Sequence, residues 1–257
     1  MARNIFDDQV FFENYMELRS REDNYNVLLE QPAMLEVLPE MQGKAVLDLG
    51  CGYGDNCRDF IERGARRAVG VDISERMLNA AERKGHSENI CFIHMDMSRI
   101  SELQEKFDVV YSSLAFHYIK DFSQFAKDIY ALLNNDGELL FSQEHPIATA
   151  TVDGLGHYNM DETGNAVSYT MADYGLSGKR IVHWFVDGVE KYHRTLSEII
   201  NALANAGFII TEMVEPLPSK SAVEILPGLK KEFIKPSFLI IKARKGSNKT
   251  EDSNLSD

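Results

Sequence analysis

Three glycines directly after a short, mostly apolar segment provide the clearest sign of chemistry in this chain. The predicted strand Ala45–Leu49 is followed by Gly50, Gly52 and Gly54, which have G-x-G-x-G spacing and precede a helix-compatible segment. Glycine has no Cβ, so the backbone of such a turn can approach a ligand closely, and the first amides of the helix remain free donors. The pattern predicts a ligand-binding turn where this strand ends.

Two acidic residues beside these glycines argue against a dinucleotide as the ligand. The dinucleotide fingerprint G-x-G-x-x-G requires glycine at position 55, which is Asp55 in this chain. Asp48, two residues before the first glycine, is out of place beside a pyrophosphate but suits an ammonium group or a hydroxyl. A nicotinamide-dependent oxidoreductase is therefore the less favoured alternative.

A third acid, Asp72, ends the next predicted strand, Ala68–Val71, and lies 22 positions after Gly50. An acid at this place in an α/β fold accepts hydrogen bonds from ribose hydroxyls. The alternative is a helix-terminal charge before the predicted cap Ser74, which stabilises a helix by about 0.3–1 kcal/mol. Nicotinamide cofactors contain ribose as well, so Asp72 alone does not identify the cofactor.

Strand and helix patterns alternate through the middle of the chain. Further strands are predicted at Ile90–His94, Phe107–Tyr111 and Glu138–Ser142. Helices are predicted at Cys57–Arg63, at Glu75–Lys84, from Asp121 or Ser123 to Leu133, and from the capping-box pattern Thr195–Glu198 to Ala206. Such alternation predicts an α/β fold with a parallel sheet, helices on both faces, and ligands at the carboxyl ends of the strands.

The segment Asp48–Gly54 resembles the first motif of the class I S-adenosylmethionine-dependent methyltransferases, and the resemblance extends from Lys44 to Arg244. It implies S-adenosylmethionine as cofactor and S-adenosylhomocysteine as product. It also implies a Rossmann-like, seven-stranded, mostly parallel sheet, in which Phe208–Val214 and Ser237–Ala243 form an antiparallel edge hairpin.

A second segment, Asp108–Tyr118, resembles the fourth family motif in the form found in small-molecule enzymes of the ubiquinone/menaquinone-biosynthesis type. Enzymes that methylate nucleic-acid amino groups carry an Asn/Asp-Pro-Pro-aromatic tetrapeptide at this place, and this segment has no proline. The resemblance therefore implies transfer of a methyl group to an O, N or C nucleophile of a small molecule.

The resemblance implies cofactor roles for residues at four strand ends. The turn after the first strand would contact the methionine half of the cofactor, Asp72 the ribose, and Asp96 the adenine amino group. Side chains on both sides would flank the adenine ring, and two serines would lie near the sulfonium. The remaining residues implied in these roles are Cys51, Ile73, Met77, Met97, Ser112 and Ser113. His117 either lines this pocket or caps the following turn.

The N-terminal segment, residues 1–40, is predicted to form a helical lid. The carboxylate of the methionine moiety requires a cation or a forked donor, and Arg19 is the candidate, with Arg21 as a second choice. A solvated helix in which these arginines neighbour Glu17 and Glu22 is the alternative.

After the fifth predicted strand, residues 144–194 form an aromatic-rich insertion without clear periodicity. His145 is the candidate general base, because the unperturbed pKa of histidine is about 6.5. The candidate acceptor-binding residues are Tyr158, Trp184, Tyr192, His193 and Arg194. Such residues suggest a planar, apolar or amine-bearing acceptor, although each can also serve only to pack the insertion.

Composition limits the remaining possibilities. The formal net charge of -13 argues against a nucleic-acid partner, which requires a basic face. The three cysteines lack C-x-x-C spacing, and the seven histidines are scattered, so neither a disulfide framework nor a metal site is expected. No apolar run is long enough for membrane insertion, and residues 1–8 do not resemble a secretory signal, so a cytoplasmic protein is expected.

These observations predict one methyltransferase domain over residues 1–245, followed by a disordered tail over residues 246–257. The expected assembly is a monomer or homodimer. A protein that keeps the cofactor pocket but has lost its acceptor site is the other alternative, and a blocked cavity above Ser112 and His145 would support it.

Overall fold

The computed structural model describes residues 4–85, 87–152 and 156–246. The strands of this part of the chain are β1 (Ala45–Leu49), β2 (Arg67–Asp72), β3 (Ile90–His94), β4 (Phe107–Ser112), β5 (Leu133–Glu144), β6 (His157–Met160), β7 (Ala166–Thr170), β8 (Gly178–Trp184), β9 (Val186–His193), β10 (Phe208–Val214) and β11 (Phe238–Lys245). Seven of these described strands form one sheet in the order β10-β11-β5-β4-β1-β2-β3. Only the pairs involving β11 are antiparallel, which confirms the predicted sheet with its edge hairpin.

The helices connect and cover these strands. They are α1 (Gln9–Ser20), α2 (Gln31–Glu36), α3 (Asp55–Glu62), α4 (Glu75–Arg83), α5 (Phe122–Leu132), α6 (Pro146–Thr149), α7 (Leu196–Ala206) and α8 (Lys220–Ile225). A π-helical turn, Asn26–Glu30, leads directly into α2.

Capping residues fix where the helices begin. Ser74 accepts a hydrogen bond from the amide of Met77 at the start of α4, and Asp121 accepts one from Gln124 at the start of α5. The predicted capping box of Thr195 at the start of α7 is present with both of its hydrogen bonds. These caps hold each helix directly after the loop that leaves the sheet.

Apolar residues alternate between the two faces of the sheet. On β4, Val110 packs in a cluster with Phe125 of α5, whereas Val109 and Tyr111 pack on the opposite face with Phe60 of α3. Because successive strand residues point to opposite faces, both faces carry an apolar layer that must be covered. The predicted helices on both faces are confirmed.

The structure differs from the predicted elements at two places near the site. Helix α3 begins at Asp55, two residues earlier than predicted, because Gly54 adopts a left-handed conformation that starts the helix at once. Strand β5 extends to Glu144 instead of ending at Ser142, because its last residues still pair with β11, where Glu144 is the partner of Phe238.

The insertion contains two β-hairpins that periodicity did not predict. Strands β6 and β7 form one, β8 and β9 form the other, and each pairing is interrupted by a register shift. A bulge of this kind breaks the two-residue alternation by which a strand is recognised in a sequence.

The predicted disordered tail lies outside the described residues apart from Gly246, as do residues 1–3 of the predicted lid. None of the helices in the described part of the chain combines the length and apolarity that crossing a bilayer requires.

Candidate active site

The glycine turn after β1 borders a cavity of about 810 Å³. All three glycines have positive φ, at 74° for Gly50, 52° for Gly52 and 72° for Gly54. A Cβ at Gly50 would lie 2.6 Å from the Cβ of Ala115, and one at Gly54 would lie 2.3 Å from the ring of Phe92. A Cβ at Gly52 would meet no protein atom within 4 Å. Packing thus requires two of the glycines, while Gly52 keeps the space beside the turn open.

Asp72 closes the turn from the end of β2. One carboxylate oxygen accepts from the amide of Gly52 at 2.9 Å, and the other accepts from Ser74 at 2.8 Å. Burial raises the pKa of this carboxyl, and these two hydrogen bonds oppose that rise. Asp72 lines the cavity, so its remaining lone pairs can accept from a ligand.

Asp48 lies beneath the turn and does not line the cavity. Its side chain is buried, one oxygen is 3.7 Å from the thiol of Cys57, and the other has no hydrogen-bond partner among the described residues. Burial raises the pKa of this carboxyl to about 7. An unpartnered buried oxygen costs stability, which is typical of a residue retained for a functional reason.

Four residues predicted to surround an adenine ring all line the cavity, where β2 and β3 end. They are Ile73, Met77, Asp96 and Met97. Asp96 also accepts from the amide of Ser98 at 2.8 Å, which caps the 3₁₀ turn Met97–Glu102. The carboxyl ends of these two neighbouring strands and the start of α4 therefore bring an acid and three apolar side chains to the same cavity.

At the end of β4, two adjacent serines have different positions. Ser112 is buried and donates to the carbonyl of Leu49 at 2.7 Å, so it ties β4 to the glycine turn without lining the cavity. Ser113 lines the cavity and donates at 2.8 Å to Glu30, which comes from the N-terminal segment.

Glu30 is a buried carboxylate that the sequence analysis did not single out. It accepts from Ser113, from Ser142 of β5, and at 2.6 Å from Asn26, which in turn accepts from Arg19. Burial raises the pKa of Glu30, while the hydrogen bonds from Ser142 and Ser113 oppose the rise. This network fastens the predicted lid to the ends of two central strands and holds Arg19 at the cavity.

The cavity continues past His117 to the insertion. Glu144, at the end of β5, forms an ion pair with Lys191 of β9, and both residues line the cavity. Trp184 also lines it, and the ammonium of Lys191 lies 5.4 Å from the centre of a Trp184 ring. Burial by itself would raise the pKa of Glu144, but the adjoining His117 and Lys191 hold it below its usual value.

His117 is buried and lines the cavity. Its Nδ1 accepts from the amide of Glu144 at 3.4 Å, and burial lowers its pKa to about 4. The ring is therefore neutral near pH 7, with its hydrogen assigned to Nε2. Among the described residues Nε2 has no hydrogen-bond partner, so the ring can donate to a ligand. Of the two roles that the sequence left open, the structure places His117 at the cavity.

His145 does not line the cavity. Its Nδ1 accepts from the amide of Ile147 at 3.1 Å and caps α6, and its Nε2 lies 2.9 Å from a carboxylate oxygen of Glu215. Both ring nitrogens are thus engaged within the protein. Burial lowers the pKa of this histidine although Glu215 opposes the change.

Four of the five predicted acceptor-binding residues also lie away from the cavity lining; Trp184 is the one that reaches it. His193 joins Thr149 and the carbonyl of Tyr174, while Arg194 lies over the ring of Phe122. The two others are Tyr158 and Tyr192. Tyr158 packs against Tyr169, which lines the cavity, with ring centres 4.9 Å apart. His193 and Tyr158 thus contact residues that line the cavity, Thr149 and Tyr169.

The described residues contain no cluster of three or more histidine, cysteine or acidic side chains that could hold a metal ion. The site instead offers a glycine turn with open space, a buried carboxylate at a strand end, and an acid beside apolar side chains. These features match what a nucleoside-containing cofactor requires at the carboxyl ends of parallel strands. They define a cofactor-dependent enzyme of the α/β class.

Comparison with known proteins identifies the family. A family model described as a methyltransferase domain matches residues 46–137. The crystal structure of an S-adenosylmethionine-dependent methyltransferase from Mesorhizobium loti has 35% sequence identity and a TM-score of 0.78, and the match covers 84% of this chain and 97% of that one. The chain therefore belongs to the S-adenosylmethionine-dependent methyltransferases, and it is an enzyme that uses S-adenosylmethionine.

Two curated relatives extend this comparison. An uncharacterized protein of Haemophilus influenzae is 38% identical over 252 residues, which cover 94% of this chain and 97% of the relative. A ubiquinone biosynthesis O-methyltransferase of Neisseria meningitidis is 30% identical over 107 residues, which cover 40% of this chain and 45% of that enzyme. The predicted resemblance to the small-molecule group of the family is confirmed.

Proposed function

We propose that this methyltransferase acts on a small-molecule acceptor that binds in the half of the cavity between His117 and the insertion. The observation that supports this most directly is the continuity of the cavity from Gly52 and Asp72 to Trp184 and Lys191. Its volume of about 810 Å³ lies within the range of small-molecule sites, roughly 300–1,000 Å³. The cavity above Ser113 is open, which disfavours a protein that has lost its acceptor site.

In this proposal the cofactor occupies the half of the cavity at the glycine turn. Gly50, Cys51, Gly52 and Gly54 provide the turn, Asp72 accepts from the ribose hydroxyls, and Asp96 accepts from the adenine amino group. Ile73, Met77 and Met97 flank the ring. Ser112, Ser113 and Asp48 support the methionine half. Arg19 donates to Asn26 and has further N–H groups for a carboxylate.

When bound, S-adenosylmethionine supplies an activated methyl group on a positively charged sulfur. The protein must align the acceptor with that methyl group and keep water out. An aromatic cluster suits this task, because Tyr15 packs near both Tyr53 and Trp184, with ring centres 6.0 Å and 5.8 Å away. All three side chains line the cavity and join the N-terminal segment to the insertion.

We assign the handling of the acceptor's proton to Glu144 and His117. Lys191 binds Oε1 of Glu144, and Oε2 has no partner among the described residues, so Oε2 can accept a proton from a hydroxyl or an amine. His117 Nε2–H would donate to the same acceptor and orient it. The role of His145 as general base remains a prediction, and its engaged nitrogens favour Glu144 in its place.

The cofactor part of this proposal is tested by calorimetry with S-adenosylmethionine. Asp72→Ala should weaken binding at least tenfold, which is about 1.4 kcal/mol, because a ribose hydroxyl loses a charged acceptor. Glu75→Ala is the matched control, since this exposed acid lies three residues away outside the cavity. Equal affinity of Asp72→Ala and wild type would contradict the assignment.

The acceptor part is tested with S-adenosylmethionine carrying a radiolabelled methyl group. A cell extract is separated by ultrafiltration into small molecules and macromolecules, and each fraction is incubated with enzyme. We expect label in the small-molecule fraction, and at least a tenfold lower rate with Glu144→Gln. Label confined to the macromolecular fraction would contradict a small-molecule acceptor.

A further inference from the structure

Charge is distributed unevenly along the cavity. The cofactor half is lined by Asp55, Asp72 and Asp96 together with Arg19, whereas the lining of the acceptor half includes Arg180, Lys191 and Lys235. Glu144 also lines the acceptor half, where it is paired with Lys191. This half of the cavity is therefore basic, although the chain has a formal net charge of -13.

Two of the three cations in the acceptor half already have protein partners. Lys191 is paired with Glu144. Arg180 is buried and donates to the carbonyl of Ala150 through Nε and Nη2, at 3.2 Å and 2.7 Å, and to that of Leu176 at 2.7 Å. The guanidinium thus holds β8 to the loops beside it, and its forked N–H groups already have carbonyl acceptors.

Lys235 is different. Among the described residues no carboxylate lies within ion-pair distance of its ammonium, and no protein atom accepts a hydrogen bond from it. The nearest acid along the chain, Glu232, accepts instead from the amide and the hydroxyl of Ser237, both at 2.7 Å. The ammonium of Lys235 lies 5.4 Å from the ring centre of Tyr169 and 5.9 Å from that of Tyr158. Burial lowers the pKa of Lys235, while the carboxylates of Glu232 and Glu144, which lie beyond ion-pair distance, oppose the change.

The position of Lys235 in the fold relates it to the proposed reaction site. It precedes Phe238 by three residues, and Phe238 pairs with Glu144 across β11 and β5. Lys235 is thus held beside the carboxyl end of β5. Apolar and aromatic side chains line the cavity nearby, among them Tyr25, Tyr169 and Phe238.

We infer that the methyl acceptor is a carboxylic acid with an apolar or aromatic body, and that its carboxylate binds the ammonium of Lys235. The tyrosine rings and Phe238 pack against the body. The carboxylate binds at the Lys235 end of the cavity, and the rest of the acceptor extends toward Glu144 and His117. This inference rests on the proposed function, because it names the acceptor class of the same cavity. A partly desolvated cation without a carboxylate partner gains most from an anionic ligand.

The test uses the enzyme saturated with S-adenosylhomocysteine and a panel of aryl and alkyl carboxylic acids, each paired with its primary amide. Binding is measured by calorimetry. The acids should bind at least tenfold more tightly than their amides, and this preference should disappear in Lys235→Met. Lys235→Arg, which retains the charge, should keep the preference.

Lys231→Met is the matched control. The ammonium of Lys231 lies 5.0 Å from the ring centre of Tyr158, but Lys231 does not line the cavity, so its removal should leave the preference unchanged. S-adenosylhomocysteine binding by each variant shows whether the cofactor half is intact. Failure of the wild-type enzyme to bind S-adenosylhomocysteine would contradict the proposed function rather than this inference. Acids that bind no better than amides, or a preference that survives in Lys235→Met, would overturn the inference.

Discussion

The cofactor half of the cavity stands on the carboxyl ends of β1 to β4, whereas the acceptor half is closed by segments that leave the sheet. In the first half, Asp72 ends a strand, and Gly50 and Asp96 lie in short turns within two residues of one. In the second, buried polar contacts hold long connections in place, as Arg180 does for β8. Backbone geometry therefore positions the residues of the cofactor half, whereas side-chain contacts position the segments of the acceptor half.

The strongest test of this comparison is Gly50→Ala. The new Cβ would require a left-handed alanine and would clash with Ala115 at 2.6 Å, so we expect the free energy of unfolding to fall by about 3–5 kcal/mol. Urea denaturation measures this. Gly43→Ala is the control, because Gly43 also has positive φ, at 71°, but its Cβ would meet nothing within 4 Å. Equal losses in the two variants would contradict the packing argument.

The second test concerns Asp48, whose pKa of about 7 exceeds its unfolded value of 3.8. The folded state holds the proton more tightly, so Asp48 contributes stability at low pH that is lost as the pH rises through about 7. Asp48→Asn removes this dependence. The free energy of unfolding of Asp48→Asn should therefore rise relative to that of wild type by about 3 kcal/mol between about pH 5 and pH 8.

Urea denaturation of the cofactor-free enzyme across this pH range measures the difference. Asp136→Asn is the control, because Asp136 is exposed and has a φ of 59°, which asparagine tolerates. A pH-independent difference between Asp48→Asn and wild type would show that this acid is not buried as described.

The third test addresses the contacts of the N-terminal segment. Glu30→Gln keeps the shape of the side chain but places an amide where the carboxylate accepts from Asn26 or from the two serines. We expect a loss of about 2 kcal/mol in the stability of this segment. Hydrogen exchange of the α2 amides measures it, with the exposed Glu36→Gln as control. Unchanged exchange would show that Glu30 does not fasten the segment.

The cofactor half could be predicted from the sequence because its residues lie within a few positions of recognisable strands. Asp72 is the last residue of β2 and Ile73 follows it, while Asp96 and Met97 lie two and three residues after β3; all four line the cavity. In a parallel sheet, a residue that follows a strand lies at the carboxyl edge of the sheet, so its place in the sequence predicts its place in the fold. Their roles toward the cofactor remain proposals.

The N-terminal segment and the acceptor half could not be predicted in the same way, because their contacts join distant parts of the chain. Glu30 reaches Ser113 and Ser142 across 83 and 112 positions, and no local pattern indicates either contact. Glu144 was overlooked for a different reason. Strand β5 is longer than predicted, and the alternation that directs Ser142 and Glu144 to the same face continues two residues past the predicted end.

The order of the sheet has a consequence for synthesis of the chain. Strand β11 is last in sequence but lies between β10 and β5, so both of these strands keep an unpaired edge until residue 245 has emerged from the ribosome. Lys235 immediately precedes this strand. A nascent chain that already contains the whole glycine turn therefore still lacks Lys235 and Phe238 of the acceptor half, and exposed strand edges make it prone to aggregation until β11 inserts.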